Sequence, residues 1–414
     1  MTAHFFLLRD SLTLERMGWI DELLKFYFLR LNPQSFRHTS HQREAAFIFF
    51  LTGDALYSLQ RPETIELWES IFSLPSIKIV CDQEELALRG ITVEHLRMKN
   101  PDLVITRNSL ALNGKPSFWK DVMRYARQHE QPIPSTIGYL HMTSPYMYRS
   151  SGALLHCLGA AVESHTSWDL YCYLDGIHTG HQDQAPLDAE NVGEGLEDLE
   201  ERTGKRGLHG QIMSNLLCAA TRGYCTHEEG KAGLIPACTI RPVRIRTTNE
   251  IAAHFRSNHI ILAEDSASVA VTKETMRPGL SFDEKWRVPP VNILITRHPY
   301  GSEYTSGALS FAFACAAKDI QTRVIFIEDG VYALSGVHSC NNNEPCVNLQ
   351  ETIDAASGSE NLQFFAYTPS LQARSMSKNP KLTGVIPVGT PELGNLIFIP
   401  PAGIVANHQR ILFF

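Results

Sequence analysis

The chain has 414 residues, 43% hydrophobic and 20% charged, with a mean hydropathy of −0.14. This composition excludes a mainly disordered chain, a fibre and a coiled coil, and no window approaches the ~18 consecutive apolar residues of a membrane span. The 44 acidic and 37 basic side chains leave a net charge of −7, without the positive footprint that direct, tight nucleic-acid binding needs. A small molecule or a protein is the better-fitting partner. At roughly 150 residues per domain the length predicts three domains. The opening MTAHFFLLRDSLTLERMGW carries Arg9 and Asp10 and has neither a basic flank nor a small-residue cleavage site. It therefore reads as the first strand of a cytoplasmic protein and not as a signal peptide.

In chain order, the first buried strand is followed by AAFIFFLTGDALYSL, a second strand that ends in Asp54-Ala55-Leu56-Tyr57. The same ending recurs after WDLYCYL as Asp175-Gly176-Ile177-His178, and after RVIFI as Asp329-Gly330-Val331-Tyr332. The copies lie 121 and 154 residues apart, so repetition supports three units as length does. Two apolar helices, SGALLHCLGAAV from Ser151 and SGALSFAFACAA from Ser306, precede the second and third copies. Prolines at Gln131–Pro134 and Val288–Pro290 mark stiff joints. Apolar strands alternating with helices of 10–15 residues predict an α/β fold, each unit a mostly parallel sheet with helices on both faces. The units span 1–131, 135–287 and 291–414. The acidic stretch Asp188–Glu201 reads as a solvated loop or helix face, with docking of a basic carrier tail as the functional alternative.

A third strand follows each Asp-containing turn, and ligands of open α/β sheets bind at the carboxyl ends of strands. SIKIVCDQEEL places Cys81 at that end, QIMSNLLCAATRGYC places Cys218 there, and LQFFAYTPS has Ala366 and Tyr367 in the same spot. A cysteine at a helix start faces unpaired backbone N–H groups that favour its thiolate, the nucleophilic form. Lys205, Arg206, His209, Arg222 and His227 are close to Cys218 in sequence and would lower its pKa further. Cys225, seven residues on, is a possible resolving thiol or a packing residue. Cys81 stands beside Asp82, Glu84 and Glu85, which oppose ionisation, and ranks as a weak candidate. Cys157, Cys172 and Cys315 read as core, and Cys238 is undecided. Cys340 and Cys346 have only His338 nearby, too few ligands for a metal site. No Walker A sequence is present, Gly204–Gly207 is too short to cradle a phosphate, and no G-x-S-x-G elbow occurs. The expected cofactor and metal content is none.

These motifs resemble the DsrE/DsrF/DsrH sulfur-relay family, also called TusD/TusC/TusB. The second unit resembles DsrE through SSGALLHCLGAA, YCYLDGIHTGHQDQAP and LLCAATRGY; the third resembles DsrF through RHPYGSEYTSGALSFAFA, FIEDGVYAL and YTPSLQARSM. The first is similar to DsrH through LTGDALYSL, CDQEELALRGI and FWKDVMRYARQHEQ. The chain would then fuse three subunits in the order DsrH-, DsrE-, DsrF-like. The resemblance implies a sulfurtransferase in which Cys218 accepts persulfide sulfur from a donor protein and passes it to a small TusE/DsrC-like carrier. That relay serves either tRNA thiolation or dissimilatory sulfur metabolism. It further implies a homodimer that rebuilds the family's six-unit assembly, with Asp175, Gly176, His178 and Arg222 shaping the pocket. The alternative is a non-catalytic assembly or binding module of three such domains.

Overall fold

A computed structural model of the chain describes residues 4–33, 46–93, 96, 98–99, 103–110, 117–127, 136–147, 150–227, 234–258, 260–271, 288–335, 348–356, 358–376, 384–401 and 408–414. The first run comprises β1 (His4–Leu8), α1 (Leu14–Phe26), β2 (Phe47–Leu51), α2 (Pro62–Phe72), β3 (Ile77–Asp82), α3 (Gln83–Leu88), β4 (Val104–Arg107) and α4 (Phe118–Arg127). The second comprises β5 (Thr136–His141), α5 (Ser150–Glu163), β6 (Ser167–Cys172), α6 (Val192–Lys205), β7 (Gly210–Asn215), α7 (Leu216–Thr221), β8 (Cys225–His227), β9 (Leu234–Pro236), β10 (Val243–Arg246), α8 (Thr248–Ser257), β11 (Ile260–Ala263) and β12 (Ser266–Ala270). The third comprises β13 (Val291–Ile295), α9 (Tyr304–Ala316), β14 (Thr322–Phe326), α10 (Leu349–Ala356), β15 (Leu362–Tyr367), α11 (Thr368–Ala373), β16 (Val385–Val388), α12 (Thr390–Phe398) and β17 (His408–Phe413). The fold is mixed α/β, with mostly parallel sheets. Of the sequence boundaries, Gln131–Pro134 lies outside the described residues and Val288–Pro290 directly precedes β13.

The chain forms two compact units. One contains Met1–Leu12, Glu44–Phe72 and Ser76–Ser268; the other contains Thr13–Arg43, Ser73–Pro75 and Val269–Phe414. In the first unit, β10-β7-β6-β5-β11 form a wholly parallel sheet, and β1–β4 form a second sheet in the order β4-β3-β2-β1. Its next position, where the second run has β11, is taken by β12, which runs antiparallel to β1 with Phe5 opposite Ser268. Strands such as HFFLL and FIFFL are buried along their whole length, the pattern of a sheet covered on both faces. Of the acidic stretch, the residues from Val192 on lie in α6, whose Leu196, Leu199 and Thr203 are buried and whose Glu194, Glu197, Asp198 and Glu201 face solvent, while residues 188–191 form the loop before it. Helices α4 and α5 pack together, with Lys120 Nζ 2.7 Å from a Glu163 carboxylate and Arg127 donating to the Ser164 carbonyl at 2.8 Å.

The second unit repeats the order β16-β15-β14-β13-β17, all parallel. Helix α1 belongs to this unit and packs on α12. There the absence of a side chain at Gly394 admits the Phe26 ring, Tyr27 tilts against Phe398 at 4.9 Å, and Trp19 stacks on Phe413 at 6.2 Å. Such aromatic burial is a large apolar contribution. The compact units therefore cut across the first sequence-defined segment: α1 packs with the third run.

Two adjacent carboxylates between β11 and β12 tie the two sheets of the first unit. Glu264 Oε1 accepts the N–H groups of Met142 (3.0 Å) and Thr143 (3.4 Å) in the loop after β5. Asp265 Oδ1 accepts those of Arg9 (2.5 Å) and Asp10 (3.1 Å) in the loop after β1. Burial pushes the Glu264 pKa up, but His141, whose Nδ1 lies 2.6 Å from Oε1, and the Met142 N–H outweigh it and bring it to about 2. Its ordinary value is 4.5, so the unfolded chain takes up a proton first. The stabilisation is complete above about pH 4.5 and is lost as pH falls toward 2. Replacing Glu264→Gln is expected to remove on the order of 3 kcal/mol at neutral pH and to flatten the acid limb of a urea-denaturation series across that range. An acid limb identical to that of the parent chain would contradict this linkage.

Candidate functional site

The three runs build the same corner from the same parts. Ladder register aligns them: Leu51 lies opposite Cys81, Cys172 opposite Ser214, and Phe326 opposite Ala366. A seven-residue 3-10 turn follows the second strand in each run: Gly53–Leu59, Leu174–Gly180 and Glu328–Leu334. A six-residue helix follows the third strand. Its N-cap is Asp82, Asn215 or Tyr367, and its C-cap is Arg89, Arg222 or Arg374.

This register corrects one sequence expectation. Cys81, Ser214 and Ala366 are equivalent, and Cys218 is not at the strand end; it is the third residue of α7, where the other runs have Glu85 and Ser370. The apolar Leu216 and Leu217 at the start of α7 read in sequence as a continuation of β7, which hid this four-residue offset. Nor is the backbone N–H of Cys218 unpaired, because the Asn215 side chain accepts it at 3.1 Å.

Each turn is held tightly against the end of the first strand. The residue before the turn's aspartate is left-handed in all three: Gly53 at φ 55°, Leu174 at 51° and Glu328 at 53°. Leucine and glutamate tolerate that region poorly, so surrounding packing must enforce it. In the second run Gly176 donates to the Met142 carbonyl at 3.1 Å, and a Cβ there would sit 2.0 Å from the His141 carbonyl oxygen. Gly330 is equally constrained by Ile295, at 1.9 Å. The first run has Ala55 at this position; its close approach is at Gly53, against Arg9.

The C-cap arginine then returns to the turn. Arg222 donates from Nε (3.0 Å) and Nη2 (2.8 Å) to Asp175 Oδ1; Arg374 does so to Asp329 (2.9 and 2.7 Å), and Arg89 to Asp54 (3.3 and 2.9 Å). Arg222 lies four residues after Cys218, on the same helical face. Its partner Asp175 is half exposed, so the pair is worth little to stability; its value is in fixing the turn against α7. An aromatic ring occupies the position three residues after the aspartate. In the first and third runs the arginine guanidinium lies 5.8 Å from the ring of Tyr57 or Tyr332. In the second run His178 Nδ1 lies 2.7 Å from the Tyr224 hydroxyl, and His181 meets the same tyrosine edge-on at 5.7 Å. Burial lowers the His178 pKa and raises that of Tyr224. The pair is therefore a neutral imidazole and a protonated phenol at neutral pH.

The structure thus brings Asp175, Gly176, His178 and Arg222 to one corner with α7. Cys218 is buried, while its neighbour Leu217 is 67% exposed. Cys81 is fully buried, and burial followed by the charge of Asp82 pushes its thiol pKa up. Cys225 lies in the β8–β9 hairpin opposite Pro236, and burial raises its pKa as well. Cys157, Cys172 and Cys315 are buried. Cys238, undecided from sequence, is exposed and left-handed at φ 54°, and after burial it is the next contributor to the raised pKa of Tyr224. Of the basic neighbours expected to act on Cys218, Lys205 pairs with Glu201 at 2.6 Å and Arg206 donates to the Val162 carbonyl at 3.0 Å. His338, Cys340 and Cys346 lie outside the described residues. No cluster among the described residues could hold a metal ion, and no helix among them is long and apolar enough to cross a membrane.

The equivalent corner of the third run is filled from within its own compact unit. Glu15 of α1 accepts from Ser370 Oγ (2.5 Å) and from Arg374 Nη1 (3.0 Å) and Nη2 (2.8 Å). Ser370 Oγ also accepts the Glu328 N–H at 2.9 Å. The Glu328 side chain binds Arg16 Nε at 2.9 Å and Trp19 Nε1 at 3.0 Å, which accounts for a glutamate in the left-handed position.

Residues 290–399 match the DsrE/DsrF-like family, so the DsrE-like assignment holds for this C-terminal region. Solved structures similar to this chain include that of the ychN protein from E. coli, at 16% identity and a TM-score of 0.24, over 32% of this chain and 99% of that one. No curated protein matches the chain.

Because a Cβ at position 176 would strike backbone and not a flexible side chain, Gly176→Ala is expected to destabilise by at least about 2 kcal/mol. Thermal unfolding measures this. Ala55→Gly, at the equivalent position, is expected to change stability by less than about 1 kcal/mol. Equal losses at the two positions would contradict the close-approach geometry.

Proposed function

We propose that the chain is a sulfur carrier of the sulfurtransferase type, built from three tandem DsrE-like domains, with Cys218 as its sulfur-accepting thiol. The observation that carries this reading is the position of Cys218. At one corner, built alike in three runs, only the second run has a thiol at the third helical residue, against Glu85 and Ser370 elsewhere. The family match of residues 290–399 supports extending the relay chemistry of that family to the similarly built second run. The exposed Leu217 beside the thiol offers an apolar contact to a protein partner, and a net charge of −7 favours such a partner over tRNA.

In the proposed cycle the Cys218 thiolate attacks the outer sulfur of a donor persulfide, R–S–SH. The bond from Cys218 to that sulfur forms, the donor S–S bond breaks, and the donor leaves as R–S⁻. A thiolate on an acceptor of the TusE/DsrC type then attacks the same outer sulfur and releases the Cys218 thiolate. Both steps are thiol exchanges without net oxidation. Asp175 and Arg222 hold the turn against α7, Gly176 permits its approach to the strand, and His178 with Tyr224 supplies a polar wall. Cys225 is the resolving-thiol candidate from sequence; the more exposed Cys238 competes for that role.

The burial of Cys218 favours the second reading, a non-catalytic assembly module, in which the thiol is only a packing group. Incubation with polysulfide followed by intact-mass measurement distinguishes the two. The carrier reading expects a gain of about 32 Da, one sulfur atom, that is lost in Cys218→Ser and kept in Cys81→Ser and Cys225→Ser. A chain that acquires no sulfur, or acquires it equally in Cys218→Ser, is not a carrier at this residue.

A further inference from the structure

The first unit contains a cavity whose lining includes none of Asp175, Gly176, His178, Cys218 and Arg222. It opens beside α3 and the loop before α6 and holds about 630 Å³, a volume suited to a small ligand. Asp82, Glu84, Glu85, Asp188 and Glu190 line it, and no lysine or arginine does so among the described residues. Asp82 is only 2% exposed. Its three hydrogen bonds, from the N–H groups of Glu84 (3.1 Å) and Glu85 (3.4 Å) and from Ser109 Oγ (2.5 Å), all fall on Oδ1. Oδ2 is left without a hydrogen-bond partner among the described residues, on a side chain that forms the cavity wall.

Nothing described in the wall balances this charge. Arg89 is engaged by Asp54 and Glu85. Burial lowers the His156 pKa, which leaves that ring neutral. The start of α5, which reaches the cavity at Ser151, supplies about half a positive charge at most. A concave wall with one sign of charge concentrates the opposite sign in its mouth. The remaining lining is apolar or aromatic: Leu88 and Leu187 are among the most exposed large hydrophobic residues of the chain, and Tyr146 presents a ring. Carboxylates with apolar and aromatic neighbours suit a cation that carries hydrocarbon better than a hydrated metal ion.

We propose that this cavity binds an organic cation, an ammonium or guanidinium group on a short apolar stem, with the charge at Asp82 and the stem against Leu88 and Leu187. The group could belong to a free amine or to a lysine or arginine side chain of another protein. Titration calorimetry on the full chain with agmatine, and separately with a capped Leu-Lys-Leu peptide, tests it; the tighter probe identifies the source. Asp82→Asn is the informative variant, because Asn215 already serves as the N-cap at the equivalent position and the helix keeps its cap. Binding is expected to weaken on the order of tenfold in Asp82→Asn, to weaken also in Glu84→Gln, and to be unchanged in Cys218→Ser. Absence of saturable binding by both probes overturns the proposal. So does binding that Asp82→Asn and Glu84→Gln leave intact.

Discussion

The geometry of the candidate site depends on one backbone crossing. In each run the turn after the second strand presses on the residues that end the first. At Gly176 and Gly330 the space is so small that a single methyl group would overlap a carbonyl oxygen. That crossing forces the preceding residue into the left-handed region even where it is Leu174 or Glu328. It also presents the next residue, an aspartate, outward to the C-cap arginine of the following helix. Positions of the turn, the short helix and its third residue are therefore linked. The loops that receive the crossing are fixed in turn, by Glu264 in the second run and Asp265 in the first, while in the third the Phe414 carbonyl accepts Thr296 N–H at 2.7 Å.

One corner built three times has been put to three uses. In the second run the third helical residue is a cysteine beside an exposed leucine. In the third it is Ser370, closed over by Glu15, with the buried Arg16–Glu328 pair beneath (side chains 7% exposed each). In the first it is Glu85, drawn into an arginine bridge beside an acidic cavity. The framework persists because the aspartate–arginine link and the crossing involve other residues. The third helical position is therefore free to change without disturbing the fold.

Much of this was legible in the sequence, for identifiable reasons. Strands such as FIFFL and IILA, buried on both faces, are continuous apolar runs. In the recurring Asp-small-aliphatic-aromatic ending, the aspartate is bridged by the C-cap arginine in every run, and the small residue lies against the first strand in the second and third. What was not legible depends on contacts distant in sequence. The return of Arg222 to Asp175 spans 47 residues and that of Arg374 to Glu15 spans 359. Cys81 and Cys218 looked equivalent because each ends an apolar stretch, but the two leucines before Cys218 belong to α7, and ladder register separates the cysteines. The placement of α1 with the third run rests on aromatic packing against Gly394 and Phe398, which leaves no local mark. Nothing local to Glu264 and Asp265 signals that each carboxylate caps a different loop.

The strand β12 has a further consequence. It occupies the place beside β1 that each of the other two runs fills with a parallel strand of its own, and it comes from residues more than 250 positions later. A first segment cut away at its sequence boundary would leave the hydrogen-bonding edge of β1 bare, an invitation to pair with a neighbouring chain. The first segment is thus not closed by its own residues: the sheet edge at β1 is completed only once the chain has been made as far as β12.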